Sequence, residues 1–422
     1  MTFIEEDYEV TPSNWKKKTK EQIVIKVIGV GGGGCNAVNY MFNNNIEGCS
    51  FYVCNTDAQS LKSSLVPNKI QIGEGLGAGC DPREGRNAAL DAQEEIAEKV
   101  FGDQTDMLFI TAGMGGGTGT GAAPVIAAMA KERDILTVGV VTLPFRTEGN
   151  DSMSRAIDGI YELQKNVDSL LIINNEKIYD HFNDMLIHKA FPKTDEVLKT
   201  AVQSITEIIN KPGYVNVDFK DVKAMMTGSG MALMGCGSGS GEDRIKDAVA
   251  MAVQSPLLND FDIKTAKNVL INITAGYNEQ GLLMQDLAQI DNLLKDEFGE
   301  NANRFKRGIV YETAEEFGDQ VKITVIATGF EMKRLNDIAN VKLGNIILID
   351  TDFEYDIEVA LNNEENENAE TYTQKIGFNN TSIKKHFCFK EDGKPALLVG
   401  EMDAKGPLES IAAIRRRSKK QN

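Results

Sequence analysis

Histidine is scarce in this chain. The three present, His181, His188 and His386, are too few and too scattered to build a histidine-rich metal centre. The six cysteines, at 35, 49, 54, 80, 236 and 388, include no C-x-x-C pair, which argues for reduced thiols rather than a disulfide framework. No apolar run approaches the roughly 20 residues that span a bilayer. The opening stretch from Met1 to Asp7 also has no basic region ahead of an apolar one. The expectation is therefore a cytoplasmic protein with no direct membrane insertion. Positive charge is short as well: a formal net charge of −17 speaks against a nucleic-acid partner and for solubility. No solenoid-type repeat is found. With 422 residues there is room for two or three domains with sizeable cores.

Glycine, by contrast, is concentrated. The run Gly113-Met114-Gly115-Gly116-Gly117-Thr118-Gly119-Thr120-Gly121 leaves little side chain to pack, so its chemistry must come from backbone N–H groups that can approach an anion. A strand over Asp106–Thr111 precedes it and a helix over Ala122–Ala130 follows, which aims a helix amino terminus at the same point. The two threonines add hydroxyl donors. A Walker A loop would end in lysine followed by Ser or Thr, and none stands here. A cation must come from elsewhere or be a bound metal.

A second such unit lies upstream. Gln22–Ile28 reads as a strand, runs into Gly29–Gly34 and is followed by a helix near Cys35–Phe42. Gly29, Gly31 and Gly34 satisfy G-x-G-x-x-G, and Asp57, about twenty residues on, stands where a dinucleotide enzyme would bind a ribose. A turn or helix cap is the commoner role for such an acid. Strands follow at Ser50–Cys54, Lys69–Ile72, Ile135–Thr142 and Ser169–Ile173, and a helix from Pro82 to about Val100. This alternation predicts a mostly parallel sheet covered on both faces, with ligands bound at the carboxyl ends of its strands.

Beyond Asn174-Asn175-Glu176, Thr194 can cap a long helix with Asp195 and Glu196 in its first turn. Val197, Leu198, Ala201, Val202, Ile205, Ile208 and Ile209 give that helix one apolar face before Lys211-Pro212-Gly213 stops it. The segment Asn216–Asp221 reads as a polar turn. A smaller sheet with helices follows: strands at Met225–Gly237, Val269–Ile273, Gly308–Tyr311 and Val321–Ala327, and helices near Asp243–Gln254 and Leu282–Phe298. Residues 1–20 have no periodicity, Asn362–Glu370 is an acidic low-complexity stretch, and Ile411–Lys420 is apolar then basic, a docking peptide or a frayed end.

From residue 23 to 330 the order of motifs resembles the tubulin/FtsZ family, and most closely its bacterial FtsZ branch. The matching stretches are Gly29–Asn39, Asn55–Asp57, Gly77–Gly79, Gly115–Gly121, Val140–Phe145, Glu148-Gly149, Asn175, Ala190-Phe191 with Asp195, and Asn216–Val222. The resemblance implies an α/β fold: a Rossmann-like parallel-sheet GTPase domain (21–190) joined by a long central helix (191–213) to a smaller α+β domain (214–330). A disordered arm (1–20) would precede them, and a flexible linker and peptide (331–422) would follow. It implies GTP and GDP as ligands, with Mg²⁺ as companion and no metal held by side chains alone. Gly31, Gly32, Gly115, Gly116, Gly117, Thr118, Gly119, Thr120 and Gly121 would wrap the phosphates, with Ala78 and Gly79 near the terminal one. Glu148 would meet the ribose; Asn36, Asn175 and Asp195 would read the guanine, and Phe191 would stack on it. Asn55, Asp57, Pro144 and Ser152 fall in the stretches lining that site.

The resemblance further implies that Asp218 and Asp221, positioned with Asn216, act on the nucleotide of the next copy in a head-to-tail filament. In a bacterium the homopolymer would serve the division ring at mid-cell, tethered through its tail to membrane-associated adaptors. Two departures stand out, since Tyr40 and Ser152 occupy positions where such proteins commonly carry arginine. The tail also lacks the family's acidic-Ile-Pro pattern. The rival readings are an NAD-dependent oxidoreductase, suggested by the first glycine turn and Asp57, and a GTP-binding scaffold without turnover.

Overall fold

The computed structural model describes residues 23–176, 185–211, 213–253, 263–298, 304–312 and 317–330, together with five short strands beyond 346. The expected arm lies outside the described residues. Two compact units are defined, 1–332 and 333–422.

In the first unit, the apolar runs become buried strands: β1 (Ile25–Val30), β2 (Ser50–Asn55), β3 (Asn68–Gln71), β4 (Met107–Gly113), β5 (Leu136–Leu143) and β6 (Ser169–Asn174). Every residue of β1, β5 and β6 is buried, as a sheet covered on both faces requires. These six pair in parallel in the order β3-β2-β1-β4-β5-β6. The order therefore reverses between β1 and β4, and the crevice at such a switch point is where α/β sheets bind ligands. Both glycine runs lie there.

The sheet continues. β7 (Gly230–Gly239) joins β6 in parallel only at Ser169↔Gly230 and Leu170↔Met231. Then β10 (Val321–Phe330) lies antiparallel between β7 and β8 (Asn268–Gly276), and β9 (Arg304–Glu312) closes the edge parallel to β8. The result is one ten-stranded sheet.

Among the described residues the α-helices are α1 (Gly31–Asn43), α2 (Ala58–Ser63), α3 (Pro82–Asp91), α4 (Gln93–Phe101), α5 (Thr118–Lys131), α6 (Asn150–Gln164), α7 (Ile187–Asn210), α8 (Phe219–Met226), α9 (Arg244–Val253) and α10 (Met284–Phe298). Several differ from expectation. α1 and α5 begin inside the glycine runs, at Gly31 and Thr118. The single helix expected from Pro82 breaks at Ala92 (φ −99°, ψ 15°), so α3 can lie against α5 while α4 turns Ile96 and Val100 into the core. α7 begins at Ile187, so Thr194 is interior to the helix and caps nothing. A short helix, α8, fills the start of the strand expected from Met225.

α7 buries Leu198, Ala201, Val202, Ile205, Ile208 and Ile209 against Ala37, Val38 and Met41 of α1 and the face of the sheet. Each fully buried Leu, Ile or Val there contributes roughly 1.5–3 kcal/mol. The five cysteines with described side chains, Cys35, Cys49, Cys54, Cys80 and Cys236, are unpaired. Burial pushes the Cys35 and Cys49 thiols up to about 12, far from the reactive thiolate form.

The second unit is described in its strands alone: β11 (Ile347–Leu348), β14 (His386–Phe389) and β15 (Pro395–Leu397) in one sheet, β12 (Tyr355–Ala360) and β13 (Thr371–Ile376) as an antiparallel pair. The acidic stretch 362–370 and the terminal 411–420 lie outside the described residues.

Candidate nucleotide site

Two loops, leaving β1 and β4, are pressed together. Gly31 holds a left-handed φ of +72°, and a Cβ there would stand 2.7 Å from the Gly119 nitrogen. At Gly117 a Cβ would meet the Ala78 methyl at 2.7 Å and the Asp81 carbonyl at 2.9 Å. Side chains at these positions would force the loops apart. Gly32, Gly77, Gly79 and Gly116 differ, because a Cβ on any of them would meet nothing within 4 Å. The second set borders an open hollow walled by main chain, and the first set holds its walls in contact.

Two helix amino termini, of α1 and α5, open into this region. Neither has a side-chain cap or an acid in its first turn, so their N–H groups and positive dipole ends are left for an anion. The threonine hydroxyls hold the loop itself. Thr118 Oγ1 lies 2.6 Å from Thr56 Oγ1, and Thr120 Oγ1 accepts from the Gly115 nitrogen at 2.9 Å. Thr56 was not singled out from sequence, although it sits inside the Asn55–Asp57 match.

Asp57 serves as a helix cap: its Oδ1 accepts from the nitrogens of Gln59 (2.8 Å) and Ser60 (3.3 Å) at the start of α2. Asn55 is buried and accepts from the Asp57 nitrogen. Nothing in this arrangement supports the oxidoreductase reading, since the acid at the end of β2 is committed to the local turn.

On the opposite wall, Pro144 and Ser152 are buried against Gly115, whose added Cβ would stand 2.5 Å from Ser152 Oγ and 3.2 Å from Pro144 Cγ. Glu148 is exposed and its Oε1 accepts from the Phe145 nitrogen at 2.9 Å, which folds the 145–148 turn upon itself. That turn is tied to the end of β6 by Glu176, whose Oε1 accepts from the Arg146 nitrogen at 2.6 Å. Arg155, also not singled out from sequence, donates from Nε to the Gly115 carbonyl at 2.8 Å. Its signal was helical spacing, because residue 155 lies one turn beyond Ser152 and a helical side chain leans back toward the amino terminus.

The expected base-reading groups are placed as follows. Asn36 is exposed on α1, and Phe191 belongs to α7 by its backbone, with its side chain outside the described residues. The Asn175 Oδ1 atom, just past β6, is buried without a hydrogen-bond partner. Asp195 on α7 is half-buried, and burial raises its carboxyl from 3.8 to about 6. A buried unpaired amide oxygen and a desolvated carboxylate are both acceptors awaiting N–H donors.

The carboxylate segment is elsewhere. α7 ends with Asn210 donating to the Gly48 carbonyl, just before β2. α8 ends with Lys223 on Asp134, which precedes β5, and with the Met226 carbonyl on the Ser169 hydroxyl, the first residue of β6. Residues 216–221 are thus strung between two anchors at the amino-terminal edge of the parallel strands, whereas the hollow lies at their carboxyl ends. A six-residue strand spans about 20 Å. One chain does not bring Asn216, Asp218 and Asp221 to its own hollow. Locally, Asp218 caps α8 by accepting from the Asp221 nitrogen (2.8 Å), Asp221 pairs with Lys306 Nζ (3.0 Å), and Asn216 Oδ1 accepts from the Gly213 nitrogen (2.6 Å). Among the described residues, no three His, Cys, Asp or Glu side chains converge as a metal cage, and no helix is long and apolar enough to cross a membrane.

A switch-point crevice lined by glycine main chain and two uncapped helix ends defines a nucleotide-binding α/β protein. Residues 24–183 match the Tubulin/FtsZ family GTPase domain and residues 230–331 the FtsZ family C-terminal domain. This chain belongs to that family. It is similar to the cell division protein FtsZ of Pseudomonas aeruginosa, 48% identical over 311 residues, covering 72% of this chain and 77% of the relative. The same-named protein of Buchnera aphidicola is 44% identical over 341 residues, covering 79% and 86%. Among solved structures, an empty FtsZ dimer from M. jannaschii matches with a TM-score of 0.67 at 38% identity, covering 76% of this chain and 93% of that one.

Proposed function

We propose that this chain is a GTP-dependent, self-assembling GTPase of the bacterial cell-division cytoskeleton, whose hydrolytic site is completed by a second copy. The observation that carries the shared site is the separation of hollow from carboxylates at opposite edges of one sheet. Copies stacked head to tail would bring the 216–221 segment of one over the hollow of the next, and a contact of that kind, which does not close on itself, builds a filament.

The residues divide the work. Main chain of Gly31, Gly32 and Gly115–Gly121 receives the phosphates, with Ala78 and Gly79 beside the terminal one. Asn175 and Asp195 accept from the N–H groups of guanine, Asn36 approaches the same base, Phe191 stacks on it, and Glu148 reaches the ribose once released from its own turn. From the neighbouring copy, Asp218 and Asp221 orient a water in line with the terminal phosphate while the Asn216 amide positions it. Mg²⁺ is ordinarily bound through phosphate oxygens and water, and it would screen the triphosphate here without needing an all-protein cage. The protein would work in the cytoplasm at mid-cell, with residues 331–422 engaging membrane-associated adaptors.

The test is a dilution series. Phosphate release per copy should rise with protein concentration in step with GTP-dependent sedimentation. A rate per copy that stays constant down to fully dissociated protein would remove the shared site.

A further inference from the structure

The three glycine loops, Gly29–Gly34, Gly73–Gly79 and Gly113–Gly121, contain no lysine or arginine, yet a nucleoside triphosphate brings about four negative charges. The side chains around them therefore decide where a cation can come from. Arg83 is committed, with Nε and Nη2 gripping both Asp81 oxygens at 2.8–3.2 Å. Arg155 is different. Its half-buried side chain reaches back from the first turns of α6 and spends only Nε, on the Gly115 carbonyl. Among the described residues its two terminal nitrogens have no hydrogen-bond partner.

Its position is bounded on several sides. Gly115 is followed by Gly116, which opens on free space, and by Gly117, which abuts Ala78 and the Asp81 carbonyl. Asp81 is held below the ordinary carboxylate range chiefly by its hydrogen bond from Arg83, and Arg155 adds to this through its charge. Arg155 is thus fastened to the Gly115–Gly117 loop, whose far end abuts the 78–81 loop, and lies within electrostatic reach of Asp81.

We propose that Arg155 is the cation of the phosphate site: Nε fastens Gly115 while the terminal nitrogens take the last phosphate, so that the chain discriminates a nucleoside triphosphate from a diphosphate. This rests on the guanine-nucleotide reading above. A guanidinium suits the role because its planar fork can hold a carbonyl with one edge and a phosphate with the other.

The experiment titrates GTP and GDP separately into the full chain, for wild type, Arg155→Gln and Arg155→Lys, with nucleotide-free melting recorded for each. Arg155→Gln should lose about tenfold or more in GTP affinity and less than about threefold for GDP, the loss of one charge-assisted contact made only to the third phosphate. Arg155→Lys should recover part of the GTP loss, because it restores charge without the fork. Equal losses for both nucleotides, or none, overturn the proposal: Arg155 would then only prop the loop or stand idle. If Arg155→Gln melts before it can be titrated, Arg155→Lys decides by the same criterion, since it too should weaken GTP more than GDP. Wild type that binds neither nucleotide sinks the underlying reading, and that arm is read before any variant is compared.

Discussion

The hydroxyls of Thr56 and Thr118 stand 2.6 Å apart in a buried contact that ties the end of β2 to the first residue of α5. The Thr56 carbonyl also accepts from the Gly77 nitrogen at 3.0 Å, so one residue holds two of the loops around the hollow. Thr56→Val should leave a buried hydroxyl on Thr118 unpaired, at about 1–3 kcal/mol of stability, and should weaken GTP binding with it. Chemical denaturation checks the first effect. Because the two residues share one contact, the double variant Thr56→Val, Thr118→Val should cost less than the sum of the singles.

Neighbouring glycines should behave oppositely. Gly117→Ala would push a methyl against Ala78 and the Asp81 carbonyl, so both stability and nucleotide binding should fall. Gly116→Ala meets only open space; melting of the free protein should change little, while GTP affinity drops because the methyl projects toward the ligand. Paired melting curves and titrations separate the two, and equal melting points for the variants would contradict this division of the glycines.

Asp218 has two roles that can be divided. It caps α8, so Asp218→Ala should cost about 1 kcal/mol as well as turnover, whereas Asp218→Asn keeps a capping side chain and loses only charge. Both should retain GTP, and each defective copy should silence one site, that of its neighbour. Complementation is the measurement: Asp218→Ala, with an intact hollow, and Gly116→Ala, with intact carboxylates, should regain single-turnover phosphate release when mixed, and no gain over the two measured apart would argue that each copy hydrolyses alone.

The pH dependence follows from Asp195, raised by burial to about 6. An acid whose pKa is higher folded than unfolded binds protons more readily in the folded state. The free protein therefore gains stability from this group as pH falls from about 6 toward 3.8. Ligand binding runs the other way, because N–H donors on guanine need the ionised acceptor. GTP affinity should weaken as pH drops below about 6, and Asp195→Asn should flatten that slope. Calorimetric titration across this range is the check.

Periodicity and glycine spacing were enough to place β1, β2, β4, β5 and β6 and the long helix α7, since strands buried on both faces and an amphipathic helix write their environment into local composition. The glycine runs also marked, through a missing Cβ, where two loops close on each other, a purely local property. Boundaries at Gly31, Ala92, Thr118 and Ile187 were not legible, because they depend on what packs from outside.

The sequence by itself determined a parallel α/β core with two glycine loops at its switch point, because those features follow from which side chains are apolar and which are absent. Tertiary structure alone decided that Gly117 packs while Gly116 opens, that Arg155 reaches Gly115 across 40 residues of chain, and that Asp218 caps a helix whose other end is fixed at the start of β6. Those are relations between residues distant in sequence, and chain topology sets them.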